Sequence, residues 1–170
     1  MKISKLAIAS LLLAFTGAAG AQQTAQPARA PAPKPQATQQ QQLTPEQQAQ
    51  VARQDAEMTK AAAQVVQLMD QNKAAEVWAG ASPVAKGVTT QEEFVKQITL
   101  DRQKVGAVAE RKQVAVTRAV YPAGAEVPAG NYVNVVYATK FANAPQPVRE
   151  LVSFHLDSDQ TWRVSGYSLR

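Results

Sequence analysis

The hydrophobic pattern changes period at Gly106, and that change limits the fold more than any other feature of this 170-residue chain. Before it, apolar residues recur at helical spacing: Val51, Met58, Ala62, Val65 and Met69, then Phe94, Ile98 and Val105. After it they alternate: Val114, Val116 and Val120; Val133, Val135, Tyr137 and Phe141; Val148, Val152, Phe154 and Leu156. A period near 3.6 gathers apolar groups on one helix stripe, and a period of two gathers them on one strand face. Helices first and strands second is an α+β order.

Local signals punctuate the helices. Thr44-Pro45-Glu46-Gln47 reads as a helix start, with a capping threonine, proline at the first helical position and a capping-box glutamine. An amphipathic helix of about 25 residues follows. A break after it leads to a short helix carrying Val77 and Trp78, expected to end before Pro83. Thr90 and Glu93 form a second capping box, and Gly106 stops that third helix. Three helices and four strands joined by hairpin-length loops predict helices packed on a curved, four-stranded antiparallel meander.

The closing stretch Trp162-Arg163-Val164-Ser165-Gly166-Tyr167-Ser168-Leu169-Arg170 raises a register question. Strict alternation would set Trp162 and Val164 against Tyr167 and Leu169. A bulge at Gly166 adds one residue and returns all four to one face, which predicts a core strand at the very end of the chain.

The start of the chain reads as an export signal. Lys2 and Lys5 precede an apolar run from Leu6 to Phe15, and Ala19-Gly20-Ala21 is a small-x-small cleavage site. The expectation is a signal peptide over 1–21, cut after Ala21, and a periplasmic or secreted domain with no membrane span once it is removed. Eight Gln and four Pro in the 21 residues from Gln22 to Gln42 cannot bury enough apolar surface to order themselves. Residues 22–43 are therefore expected to be a disordered Gln/Pro/Ala-rich linker, leaving 44–170 as a single domain. The linker reads as a plain spacer or as a tether to an envelope partner.

Several activities are disfavoured. From Glu46 on, 14 basic residues face 13 acidic ones without a basic stripe, so nucleic acid is not an expected partner. There is no cysteine and one histidine, too few ligands for a zinc site and none for a disulfide. No metal and no cofactor is expected. His155 falls on the strand face opposite Phe154 and Leu156 and is expected to be exposed; Ser153 nearby is thin support for a nucleophile. The Pro122–Gly130 loop lacks the spacing of a phosphate cradle.

Carboxylates and aromatics remain as candidates. Glu150 is in phase with Val148, Val152 and Phe154, so alternation points it inward, where it needs a partner or a raised pKa. Arg118 is in phase with Val116 and Val120, which makes a buried Glu150–Arg118 pair the first expectation. A solvent position at the sheet edge and a cavity-lining acid or base are the alternatives. Trp78, Tyr137, Phe141, Trp162 and Tyr167 sit at core periodicity and are also able to line an apolar pocket.

The runs LMDQNKAAEVWAGASP, EEFVKQI, DRQKVGAVAERK, PAGNYVNVVYATKFAN and VRELVSFHLDSDQTWRVSGYSLR resemble, in order and spacing, the bacterial domain-of-unknown-function family 4019 over Met58 to Arg170. GNYVNVVYATKFAN and the terminal WRVSGY are the most specific pieces. The resemblance implies a small exported domain without an assigned activity, and it carries over no catalytic residue. The long Gln/Pro linker departs from that family. At fold level the layout is similar to cystatin-like and nuclear-transport-factor-2-like domains, which host enzymes and binding modules alike.

Together these features favour a non-catalytic binding or accessory domain holding a small apolar ligand or an envelope protein on the concave sheet face. Trp78, Tyr137, Trp162 and Tyr167 are the expected apolar lining, with Arg111 and Glu150 as polar members. The alternatives are a small isomerase or dehydratase using Glu150 and a tyrosine, and an envelope interaction protein acting through its linker.

Overall fold

The structure, a computed structural model, describes residues 43–170. The expected export signal, and all of the expected linker except Leu43, lie outside the described residues. Within them run four helices, α1 (Pro45–Asp70), α2 (Ala74–Ala79), α3 (Pro83–Val88) and α4 (Gln91–Val105). Four strands follow, β1 (Val108–Tyr121), β2 (Gly130–Phe141), β3 (Val148–Leu156) and β4 (Trp162–Leu169).

Both capping boxes form. Thr44 Oγ1 accepts from Gln47 N at 3.3 Å while Thr44 N donates to Gln47 Oε1 at 2.9 Å, and Thr90 and Glu93 repeat the arrangement. Each box satisfies two backbone donors that a helix start otherwise leaves unpaired. The expected count of three helices is corrected to four. Pro83 does not merely end a helix; it opens α3, because Ser82 Oγ accepts from Val84 N at 3.2 Å and caps it. Proline is unfavourable inside a helix but suited to its first position, and the capping serine decides which role applies.

The sheet is a meander in the order β1-β2-β3-β4 with every pair antiparallel. One face carries Val133, Val135, Tyr137, Val152 and Phe154, and Met58, Ala62, Val65 and Met69 of α1 and Ile98 of α4 pack on it in one core. This inner face is therefore filled by the helical layer.

The expected bulge in β4 is present. Phe154 pairs with Val164 and Ser153 with Gly166, so Ser165 is the extra residue. Tyr167 then pairs with Val152 and Leu169 with Glu150, and Trp162, Val164, Tyr167 and Leu169 all join the core. Arg170 N donates to Arg149 O at 2.9 Å and Arg149 N to Arg170 O at 2.8 Å, so the ladder holds to the last residue.

A second bulge lies in β1 between Gln113 and Ala115. It breaks the expected inward alternation of Val114, which is 54% exposed. Arg111 and Val116, five residues apart, would face opposite ways on a regular strand. The extra residue brings Arg111 onto the inner face, opposite Thr139, while Val116 stays opposite Val135. Val120, also expected to be inward, is 75% exposed near the end of this edge strand.

The expectation that His155 is exposed is overturned, since it is buried at 6% exposure. It does lie on the outer face, as alternation requires, but the β1–β2 connection covers it. Tyr132 meets its ring edge-on at 4.9 Å, and His155 Nε2 lies 3.4 Å from Ala129 O. Gly130 makes this approach feasible: its φ is +143°, and a Cβ there would stand 2.3 Å from His155 Nε2.

Candidate functional site

Glu150 is fully buried at the centre of a hydrogen-bonded ion cluster. Arg111 Nε donates to Oε2 at 2.6 Å and Arg111 NH2 to Oε1 at 3.1 Å. Thr139 Oγ1 donates to Oε2 at 2.6 Å, and Tyr167 OH to Oε1 at 2.6 Å. Two planar groups sharing parallel bonds is the strongest arrangement available to this ion pair. Asp70, at the end of α1, accepts from Arg111 NH1 and NH2 at 2.8 and 2.9 Å and from Arg102 NH2 at 2.6 Å. Arg102 NH1 also donates to Tyr167 OH at 3.0 Å, and its guanidinium lies 5.7 Å from the centre of the Phe141 ring. Two carboxylates and two guanidiniums thus balance, and the cluster ties together α1, α4 and all four strands.

The titrations follow from these contacts. Burial alone would raise the Asp70 carboxyl, but the hydrogen bonds and charges of Arg111 and then Arg102 outweigh it and hold the group below the usual carboxylate range. Burial, and then the charge of Glu150, push the Tyr167 hydroxyl far up, so it stays a neutral donor. Burial also raises the hydroxyl of Tyr137, which stands opposite Glu150 on β2 and has no hydrogen-bond partner among the described residues.

The expected Glu150–Arg118 pair does not form. Glu150 is opposite Tyr137, whereas Arg118 is opposite Val133, four residues along β2, roughly 13 Å at strand rise. Arg118 instead turns to α1 and meets Asp55 Oδ1 at 2.7 Å and Gln54 Oε1 at 2.8 Å.

A second polar cluster fastens the other side of the molecule. Asp157 Oδ1 accepts from Ser82 Oγ at 2.5 Å and lies 2.8 Å from His155 Nδ1, while Arg163 NH1 donates to Oδ2 at 2.8 Å. Burial would raise the Asp157 carboxyl, yet the bonds from Ser82, His155 and Arg163 bring it net below its ordinary value. Serine, aspartate and histidine meet here in the wrong order for nucleophilic catalysis. The carboxylate sits between the other two, so the imidazole does not face the serine hydroxyl, and Ser82 is fully buried.

Beside the edge strand β4 lies an apolar cavity of about 330 Å³. Trp78, Val84, Ala85 and Phe94 from the helices wall one side, Val127, Pro128 and Tyr132 another, and Val164, Ser165, Gly166 and Tyr167 of β4 the third. Trp78 and Phe94 pack with ring centres 5.3 Å apart. The two clusters just described hold its walls. Ser82 N donates to Val164 O at 2.8 Å and Ser82 Oγ binds Asp157, which fixes α3 against β4. Tyr132 OH donates to Pro128 O at 2.8 Å, which fixes the loop.

The six residues proposed from the sequence thus divide. Arg111, Tyr137, Glu150 and Tyr167 converge on the ion cluster. Trp78 and Tyr167 line the cavity. Trp162 packs against the edge of the core and reaches neither place. Asp70, Arg102 and Thr139 were missed in the cluster, and α3, Ser165 and the Val127–Pro128 loop in the cavity. Asp70 did carry a signal: a carboxylate in the last turn of a helix with no basic residue there is electrostatically misplaced unless a cation from elsewhere meets it. Among the described residues no cluster of His, Cys, Asp and Glu is arranged to hold a metal, and no helix is long and apolar enough to cross a membrane.

The chain is thus a two-layer α+β domain, with helices covering one face of an open antiparallel meander braced by a buried ion cluster. It belongs to the DUF4019 family, described as a protein of unknown function, whose model matches residues 61–167. Searches of curated proteins and of solved structures find no match, so the cystatin-like and nuclear-transport-factor-2-like likeness stays an analogy of layout.

Proposed function

We propose that this protein is an exported, non-catalytic binding domain whose ligand site is the apolar cavity beside β4, rather than the inner face of the sheet. The cavity carries this reading. Ligand sites are concave, mostly apolar and usually preformed, and a space of about 330 Å³ walled by three helices, a loop and two strands fits that description. The inner face is occupied by α1 and α4. Glu150 supports the non-catalytic part. An acid or base must reach a substrate proton, whereas both oxygens of this fully buried carboxylate already accept bonds from Arg111, Thr139 and Tyr167. Export rests on the charged, apolar and small-residue succession across residues 1–21.

The test fills the cavity from its rim. Val84→Trp and Val88→Trp on α3 are made in the mature chain, with melting followed by circular dichroism and binding of a neutral naphthalene probe followed by Trp fluorescence. Saturable binding by the parent that both folded variants lose supports the reading. Binding that survives both variants, or no binding by the parent, overturns it. N-terminal sequencing of the protein recovered from a periplasmic fraction should begin at Gln22; recovery only as the uncut cytoplasmic chain would refute export.

A further inference from the structure

We propose that the cavity beside β4 selects a small, uncharged, ring-shaped molecule of about two fused rings. The inference rests on the binding reading above and deepens it.

Size comes first. An apolar cavity of about 150 Å³ takes one benzene ring. The present cavity, about 330 Å³, is roughly twice that and admits a two-ring compound. Shape follows from the walls: Trp78, Phe94, Tyr132 and Tyr167 present ring surfaces, which favour an aromatic guest over a flexible chain.

Charge narrows the class further. Glu126 is the one ionisable acid on the lining, and no lysine, arginine or histidine lines it. The nearby Lys86 is turned away, with its ammonium donating to Ala79 O at 2.8 Å. An anionic guest such as a carboxylate would enter an apolar space without a cation and beside a like charge, which desolvation and repulsion both oppose.

The lining hydroxyls offer an anion no compensation either. Thr89 Oγ1 donates to Glu93 Oε2, Tyr132 OH to Pro128 O, and Tyr167 OH to Glu150. Each of these donors is already used, so a carboxylate entering the cavity would lose its hydration without gaining a donor from them.

The experiment titrates the mature chain with naphthalene, 1-naphthol and 1-naphthoate at neutral pH, reading Trp fluorescence and confirming by calorimetry. It repeats the titrations on Val84→Trp as a cavity-filling control. Naphthalene and 1-naphthol are expected to bind, and 1-naphthoate to bind at least about tenfold more weakly than naphthalene. Equal affinity for naphthalene and 1-naphthoate overturns the ligand class. If naphthalene still binds and Val84→Trp still blocks it, the cavity reading survives that result. If no probe binds the parent, both readings fall together.

Discussion

Arg111 and Glu150, separated by 39 residues, meet fork to fork across β1 and β3, although β2 lies between those strands. The side chains reach over the inner face, with Thr139 of β2 adding a third donor beneath them. Burying such a pair is costly unless its remaining hydrogen-bonding capacity is used. Here Asp70 takes the other side of the Arg111 guanidinium and Tyr167 takes the free lone pair of Glu150. The cluster acts as a brace between layers.

Removing one partner of this pair should therefore cost far more than removing both. Arg111→Ala is expected to destabilise the domain by about 3–5 kcal/mol, since it leaves a buried carboxylate without its counter-ion. That is a large share of a typical total of about 5–15 kcal/mol. The double replacement Arg111→Met with Glu150→Leu should recover most of the loss. Urea unfolding followed by circular dichroism measures both, and equal losses in the single and double variants would show that the pair is not a closed unit.

The two tyrosine hydroxyls beside Glu150 should behave oppositely. Tyr167→Phe takes a donor from a buried carboxylate and is expected to cost about 1–3 kcal/mol. Tyr137→Phe removes a buried hydroxyl that bonds nothing among the described residues, so it should leave the melting temperature unchanged or raise it. Side-by-side thermal melts decide; a drop for Tyr137→Phe as large as that for Tyr167→Phe would mean the Tyr137 hydroxyl is engaged after all.

Acid should weaken the brace through Asp70. Its carboxyl is held below the usual range in the folded chain, so the unfolded chain binds the proton at higher pH than the folded one does. Its stabilising contribution is full above about pH 4 and is lost as pH falls through the lowered folded value. Asp70→Asn should therefore lower stability at neutral pH and flatten the acid limb of the stability profile. Parallel profiles for parent and variant between pH 5 and pH 2 would contradict this linkage.

Gly130→Ala should detach the loop that walls the cavity. The position has φ +143°, and the added methyl would meet His155 Nε2 at 2.3 Å. A cost of order 1–3 kcal/mol is expected from the backbone strain alone. Faster hydrogen exchange should appear at Tyr132 and in the Val127–Ala129 segment, with the α1–β2 core protected as before. Exchange unchanged in that segment would show that the loop is held by something other than the His155 contact.

Much of the architecture is decided within short reach along the chain, and the sequence alone determined that part. Two capping boxes, the switch of period at Gly106, the four-strand meander and the Gly166 bulge each depend on residues within a few positions of one another. Helix caps and alternation act over one turn or one pleat, so their signals are local. Family membership was legible for the same reason, through short specific runs such as GNYVNVVYATKFAN.

Tertiary structure alone decided which groups meet. Alternation placed Glu150 inside but suggested Arg118 as its partner; one extra residue at Val114 turned Arg111 inward instead, and the register set Arg118 opposite Val133. His155 is buried because a loop 26 residues earlier lies over it, and Pro83 opens a helix because Ser82 is anchored to Asp157, 75 residues later. The cavity exists because α3, that loop and β4 come together in space. Side-chain partners across strands depend on bulges and long-range packing, where one residue of offset reverses a face, and no local pattern carries that information.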